Sequence, residues 1–251
     1  MTNLNDAQEF KPEDDAFNHG ADSEDWWFTE TSWFSFHNVE YNIGGWLYTM
    51  LRPNIGTVAG GAWVWDDTAH LPWEVLYSQN FSALQIPEEL NLPNLVLPTG
   101  VTIGVVDPGM VYSLGYDDPG KVTVVLNSAA RQRLRPLGTA ASTFGKAAHF
   151  DQIGNITGHI ELSGKKIEID CWSMRDRTWG RRPENRPRQA GYVTGAVQGG
   201  AGFLAVSNTR DGTDQIAYGF VQRGETQVSF ERGQRDVIRD PENGWVDEIR
   251  I

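Results

Sequence analysis

Residues 167–183 read Ile167-Glu168-Ile169-Asp170-Cys171-Trp172-Ser173-Met174-Arg175-Asp176-Arg177-Thr178-Trp179-Gly180-Arg181-Arg182-Pro183. The stretch starts as a strand, with apolar and polar side chains in turn down to Trp172. Arg175-Asp176-Arg177, Trp179-Gly180 and Arg181-Arg182 follow directly. An Asp between two Arg is held ionised, because opposite charge nearby favours the charged form. Large aromatic side chains beside it exclude water and strengthen that field. If the strand continues, Arg175 and Arg177 share one face and Asp176 takes the other. Two readings of Asp176 then stand. It is an ion-pair anchor between its arginines, or it turns away from them and acts as an acid.

Outward from this stretch the chain patterns as strands. Residues 26–37 are dense in aromatic and β-branched side chains, and 46–52, 57–65, 73–85, 101–106, 112–116 and 121–126 continue the series. A basic, Ala-rich passage over 129–148 reads as a connector with a short helix. A second series covers 150–162, 166–172, 192–198, 202–208, 215–221, 226–231 and 245–251. Turn residues separate the strands at short spacing, and no long segment carries helical period with caps at both ends, so a sandwich or barrel is favoured over βαβ units. The expected organisation is all-β: a flexible lead-in over 1–20, an N-terminal β domain over 21–140 and a C-terminal β domain over 141–251. The chain stops on a strand-like segment, and a second barrel ending there is incomplete.

Composition limits the functions. The formal net charge is −12, much of it from Glu13, Asp14, Asp15, Asp22, Glu24 and Asp25, which argues against nucleic acid as the partner. Cys171 is the only cysteine, so an intrachain disulfide and an all-Cys zinc site are excluded. It sits inside an apolar strand as a buried thiol rather than a nucleophile. The first residues lack the basic and apolar regions of a secretory signal, and no apolar run is long enough to span a bilayer. A cytoplasmic location follows as the default. The five histidines include no pair with zinc-protease spacing. Gly199-Gly200-Ala201-Gly202 lacks the Lys-Ser/Thr of a phosphate loop, and no Gly-x-Ser-x-Gly elbow is present.

Two further runs carry a family resemblance. His149-Phe150-Asp151-Gln152-Ile153-Gly154-Asn155-Ile156-Thr157-Gly158, followed by Ser163-Gly164, Ile169-Asp170 and Met174-Arg175-Asp176-Arg177-Thr178-Trp179-Gly180, resembles the second half of the lipocalin-like hydroxyneurosporene synthase (carotenoid 1,2-hydratase) superfamily. Glu24-Asp25-Trp26-Trp27-Phe28, Ser32-Trp33-Phe34-Ser35-Phe36, Gly44-Gly45-Trp46-Leu47 and Leu51-Arg52-Pro53-Asn54 resemble the N-terminal barrel of the same proteins. The resemblance covers roughly 20–250. It implies two tandem lipocalin-like (calycin) antiparallel β-barrels with a small-molecule cavity in or between them, hydrophobic substrates, and no metal or organic cofactor. The family's signature Asp falls on Asp176. Many relatives carry His directly after that Asp, where this chain has Arg177. The hydratases carry Tyr two residues before it, where this chain has Met174.

The resulting expectation is a cofactor-independent enzyme acting on a terpenoid, steroid or polyene-like molecule by hydration, dehydration, isomerisation or cyclisation. A carboxylic acid would protonate a double bond and aromatic faces would stabilise the cation. The alternative is a carrier that binds such a ligand without turnover. Candidate catalytic residues are Asp176, His149, Arg175 and Arg177, the arginines as an electrostatic clamp. Candidate substrate contacts are Trp33, Trp46, His37, Gln152, Trp172, Met174 and Trp179, each of which also reads as ordinary core. Neither a nucleic acid nor a membrane span is expected, and the oligomeric state stays open.

Overall fold

The computed structural model describes residues 10–17, 19, 24–88, 90, 94–133, 148–183 and 190–251. The fold is nearly all strand. Among the described residues the helical elements are two short 3-10 turns, Pro12–Ala16 and Pro53–Ile55. No helix among them is long and apolar enough to cross a membrane.

Ten strands build the first sheet: β1 (Phe28–Asn38), β2 (Ile43–Arg52), β3 (Thr57–Asp66), β4 (Tyr77–Gln85), β5 (Asn94–Val96), β6 (Val101–Asp107), β7 (Val111–Asp118), β8 (Val122–Ala130), β9 (Ala148–Leu162) and β10 (Lys165–Arg181). Their order is β4-β3-β2-β1-β10-β9-β8-β7-β6-β5, so β4 and β5, consecutive in the chain, are its two edges. The sheet curls around one apolar interior to which nearly every strand contributes: Phe34, Leu47, Val58, Tyr77, Leu95, Ile103, Tyr112, Leu126, Ile160 and Ile169 are among its members. Alternation sets which side chains enter. β2 is buried at every second residue from Ile43 to Leu51. Tyr77 on β4 reaches across to β7, its hydroxyl 2.6 Å from that of Tyr116 and donating to Asp118 at 2.8 Å.

The second sheet is smaller and forms an open half-barrel: β11 (Ala190–Val197), β12 (Ala201–Arg210), β13 (Thr213–Arg223), β15 (Gln234–Arg239) and β16 (Val246–Arg250) in that order, with β14 (Thr226–Ser229) paired to β13. Leu204, Val206, Tyr218 and Phe220 pack against Ile153 and Met174 of the first sheet, beside Trp33 and Trp172.

β9 and β10 hold the middle of the first sheet. β10 pairs β1 on one side and β9 on the other, and β9 pairs β8. Without them β1 and β8 would present open edges. The boundary expected at 140/141 falls within 134–147, outside the described residues, as does most of the expected connector. β9 curves as it runs, and Gly158 at φ +135° lets it do so. A Cβ there would lie 2.2 Å from the Val125 carbonyl oxygen.

The strand expected to end at Trp172 continues to Arg181. It can do so because its arginines find partners. Arg177, 1% exposed, donates from Nη2 to Glu30 Oε2 at 2.5 Å and to the Asp14 carbonyl at 3.0 Å, and from Nη1 to the Thr31 carbonyl at 3.2 Å. Those contacts involve the expected lead-in. Asp14, Asp15 and Phe17 are buried there. Phe17 lies under the Arg177 guanidinium, and His19 stacks on Trp179 at 4.2 Å. His19 also bridges two carboxylates, with Nδ1 3.0 Å from Glu30 and Nε2 2.9 Å from Asp14.

Two outcomes follow from this cluster. Glu30→Gln leaves the Arg177 charge buried without its counter-ion, a change that costs about 3–5 kcal/mol. Thermal melting is expected to shift down by roughly 10 °C, and an unchanged midpoint would remove the pair's assigned importance. The second outcome concerns pH. Burial opposes the charged His19 ring, but hydrogen bonds to Glu30 and Asp14 raise its pKa above the ordinary value of 6.5. A raised imidazole contributes fully below its unfolded value and loses that contribution as pH rises through its folded value. Hydrogen-exchange protection of 10–17, corrected for intrinsic rate, is therefore expected to fall as pH rises above the ordinary histidine value of 6.5, and to be flat in His19→Gln.

Candidate functional site

The alternation of β10 divides the signature segment. Arg175 and Arg177 enter the first sheet's interior, while Asp176 faces the second sheet. Arg175 donates from Nε to Gln152 Oε1 at 2.7 Å and from Nη2 to the Tyr112 hydroxyl at 2.8 Å. Tyr112 in turn donates to Asp15 at 2.7 Å. Both arginine heads are thus engaged away from Asp176, which is a correction to the clamp reading of Arg175 and Arg177. A guanidinium spent on the barrel interior is not placed to grip a molecule beside Asp176.

On the other face, strand register brings two acids together. Asp176 on β10 lies directly opposite Asp151 on β9, and Trp33 on β1 flanks Asp176 from the other side. His149, two residues before Asp151, shares its face, and Thr178 shares that of Asp176. The second sheet adds Tyr192 from β11 and Tyr218 from β13. Tyr192 donates to Asp151 Oδ1 at 2.5 Å. His149 Nε2 lies 2.8 Å from Asp151 Oδ2 and 2.8 Å from the Tyr218 hydroxyl, and its Nδ1 lies 2.6 Å from Thr178 Oγ1.

Asp151 therefore accepts a hydrogen bond at Oδ1 and has the His149 ring in ion-pair range of Oδ2, which has no hydrogen bond of good geometry. The Asp176 carboxyl has no hydrogen bond to another described residue. It lines a cavity of about 220 Å³ with His149, Thr178, Arg182, Tyr192 and Val206. Burial, and then the charge of Asp151, push Asp176 up to about 6, against the opposing charges of His149, Arg182 and Arg175. For His149 burial works against the charged ring, but the Asp151 carboxylate beside it and then Asp176 raise its pKa overall. Burial and the same two acids raise Tyr192 and Tyr218, so both stay neutral donors. The arrangement can lend a proton from a carboxylic acid to a bound molecule next to the His149–Asp151 pair. Among the described residues no three His, Cys, Asp or Glu side chains come together as a metal-binding group.

A second recess adjoins this one. Trp33, Ser35, His37, Trp46, Trp65, Ser173 and Thr194 line a groove of about 610 Å³ that shares Tyr192 with the Asp176 cavity. Trp46 stacks on Trp63 at 5.4 Å, and burial lowers the His37 pKa.

Of the residues singled out from sequence, Asp176 and His149 meet in the cavity, and Trp33, Trp46 and His37 meet in the groove. Trp172 and Met174 belong to the packing between the sheets. Gln152 lies in the barrel interior beside Arg175, and Trp179 packs with Phe150 and Phe10. Asp151, Thr178, Arg182, Tyr192 and Tyr218 were missed. Asp151 was detectable, since it is two residues from His149 on a strand and shares its face. Tyr192 and Tyr218 come from another sheet and carry no local signal.

A search of curated proteins by sequence finds no match. Solved structures do match. The AttH-type protein NE1406 of Nitrosomonas europaea aligns with a TM-score of 0.67 at 11% identity, over 94% of this chain and 78% of that one. Kievitone hydratase of Nectria haematococca aligns with a TM-score of 0.58 at 11% identity, over 96% and 73%. CghA gives 0.55 at 12% identity, over 91% of this chain and 66% of its own. Such low identities speak for a shared fold alone, the lipocalin-like β architecture. The model of a family described as a domain of unknown function, DUF7064, matches residues 12–237, nearly the whole chain, and the protein belongs to that family.

Proposed function

We propose that the protein is an enzyme that adds or removes water at a carbon–carbon double bond of a hydrophobic small molecule, with Asp176 as the general acid. The observation that carries this reading is the Asp176 carboxyl itself: raised to about 6, without a hydrogen bond to another described residue, and facing a cavity. A proton-transfer group works best with a pKa near the working pH. The name of one structural neighbour, kievitone hydratase, supports the reaction class.

In the hydration direction, protonated Asp176 gives its proton to one alkene carbon as the π bond breaks. The positive charge that develops on the other carbon lies beside the Tyr192 ring and the Asp176 carboxylate that the transfer leaves behind. Water attacks that carbon, and the oxonium it forms loses a proton to the Asp176 carboxylate, which restores the acid. Dehydration runs the same steps backwards. Tyr192, Tyr218 and Thr178 hold Asp151 and His149 in place, and the cavity fixes the reacting conformer. The aromatic groove beside Tyr192 takes the rest of a terpenoid, steroid or polyene-like substrate. Isomerisation or cyclisation would begin with the same protonation and end by losing a different proton. The division at 140/141 stays part of this reading, and every residue that lines the Asp176 cavity then belongs to the part from 141 onward.

The test has two parts. Infrared titration of the intact protein is expected to show a carboxylic-acid band, absent in Asp176→Asn, with a midpoint near 6. In Asp151→Asn the midpoint moves down, because the like charge that raises Asp176 is gone. A midpoint near the ordinary Asp value of 3.8 would sink the acid assignment. Activity is read as deuterium incorporation from heavy water into a panel of isoprenoid alkenes and tertiary alcohols. It is expected to decline as pH rises through about 6, and to fall about a hundredfold or more in Asp176→Asn. A carrier would bind members of the panel with no exchange, and Asp176→Asn would leave that binding unchanged.

A further inference from the structure

The second sheet carries a cavity that the chemistry at Asp176 does not use. β12 and β13 turn Leu204, Val206, Tyr218 and Phe220 toward the first sheet. Phe203 and Val221, the alternate residues, face the other way and line a recess of about 670 Å³ with Ala196, Ile216, Phe230 and Ile251. Glycines keep its wall thin. A Cβ on Gly195 would lie 2.8 Å from the Phe203 ring, and one on Gly233 would lie 2.8 Å from Ile216 Cγ1. The volume is in the ordinary range of ligand pockets, and the lining is mostly hydrocarbon.

Two charges break that pattern. Arg223 and Arg232 line the same recess and are exposed at its margin. Neither forms an ion pair or hydrogen bond with another described residue. In a chain of net charge −12, these two arginines put positive charge at the margin of an apolar slot. A second copy of this chain docked symmetrically on the recess would bring these like charges near one another, which disfavours self-pairing.

We propose that this recess binds a free long-chain fatty acid, with the alkyl chain along Phe203, Val221 and Phe230 and the carboxylate between Arg223 and Arg232. A single chain fits one recess, and a guanidinium pair suits a planar carboxylate. The site is separate from the Asp176 cavity, so the two can be tested apart.

Calorimetric titration of the full chain with oleate, with oleyl alcohol and with phosphatidylglycerol vesicles checks the assignment. Oleate is expected to bind one to one, with oleyl alcohol and vesicles binding at least about tenfold more weakly. The double variant Arg223→Ala/Arg232→Ala, on exposed side chains, is expected to weaken oleate about tenfold and leave oleyl alcohol unchanged. Val221→Trp fills the recess and is expected to abolish oleate binding, while Asp176→Asn leaves it as it was. Equal affinity for oleate and oleyl alcohol, an unaffected double variant, or binding to vesicles alone would overturn the proposal. So would sedimentation showing a dimer that Val221→Trp dissociates, with no oleate bound.

Discussion

The pairing of Arg177 with Glu30 in the interior of the first sheet holds the rest of the site in position. Arg177 Nη2 and Glu30 Oε2 are 2.5 Å apart, and both side chains are almost wholly buried. A buried ion pair adds little net stability, because desolvation offsets most of the attraction. Its effect is geometric. Glu30 sits on β1, Arg177 on β10, and the Asp14 carbonyl on the turn beneath them, so three separate segments are fixed to one guanidinium. Arg175 is fixed two residues earlier by Gln152 and Tyr112. With the side chains on both sides of it anchored into the barrel, Asp176 has one direction left, toward the second sheet.

That constraint bears on how much was legible in the sequence. The opposed faces of Arg175 and Asp176 follow from strand alternation alone, and the Arg-Asp-Arg-Thr-Trp-Gly run was enough to point to the lipocalin-like fold. The strand's continuation past Trp172 was not legible, because charged residues in a row read as a loop unless their partners are known, and those partners lie at Asp14, Glu30 and Tyr112. The lead-in misled for the same reason. An acidic, polar segment looks solvated by itself, yet Asp14 and Asp15 are buried because His19 and Tyr112 meet them. Tyr192 and Tyr218 were out of reach for a different cause. Their place depends on how one sheet packs on another, and periodicity within a strand says nothing about that.

The second sheet also changes the chemistry of what it covers. Two aspartates opposite one another across β9 and β10 would, in open water, be screened acids of ordinary strength. Covering them removes that screening and makes their repulsion count. The covering layer then treats them unequally. Tyr192 donates to Asp151, and His149, itself held by Thr178 and near Tyr218, lies against the other Asp151 oxygen. Asp176 receives no such bond and faces the cavity instead. When two like charges share a dry site, the proton goes to the one with fewer donors. An acid with a raised pKa beside a second, hydrogen-bonded acid is the same division of roles that lets paired acids catalyse proton transfer near neutral pH. The asymmetry does not come from the two aspartates, which are chemically identical. It comes from Tyr192, on a sheet that neither aspartate belongs to, and from His149 beside Asp151.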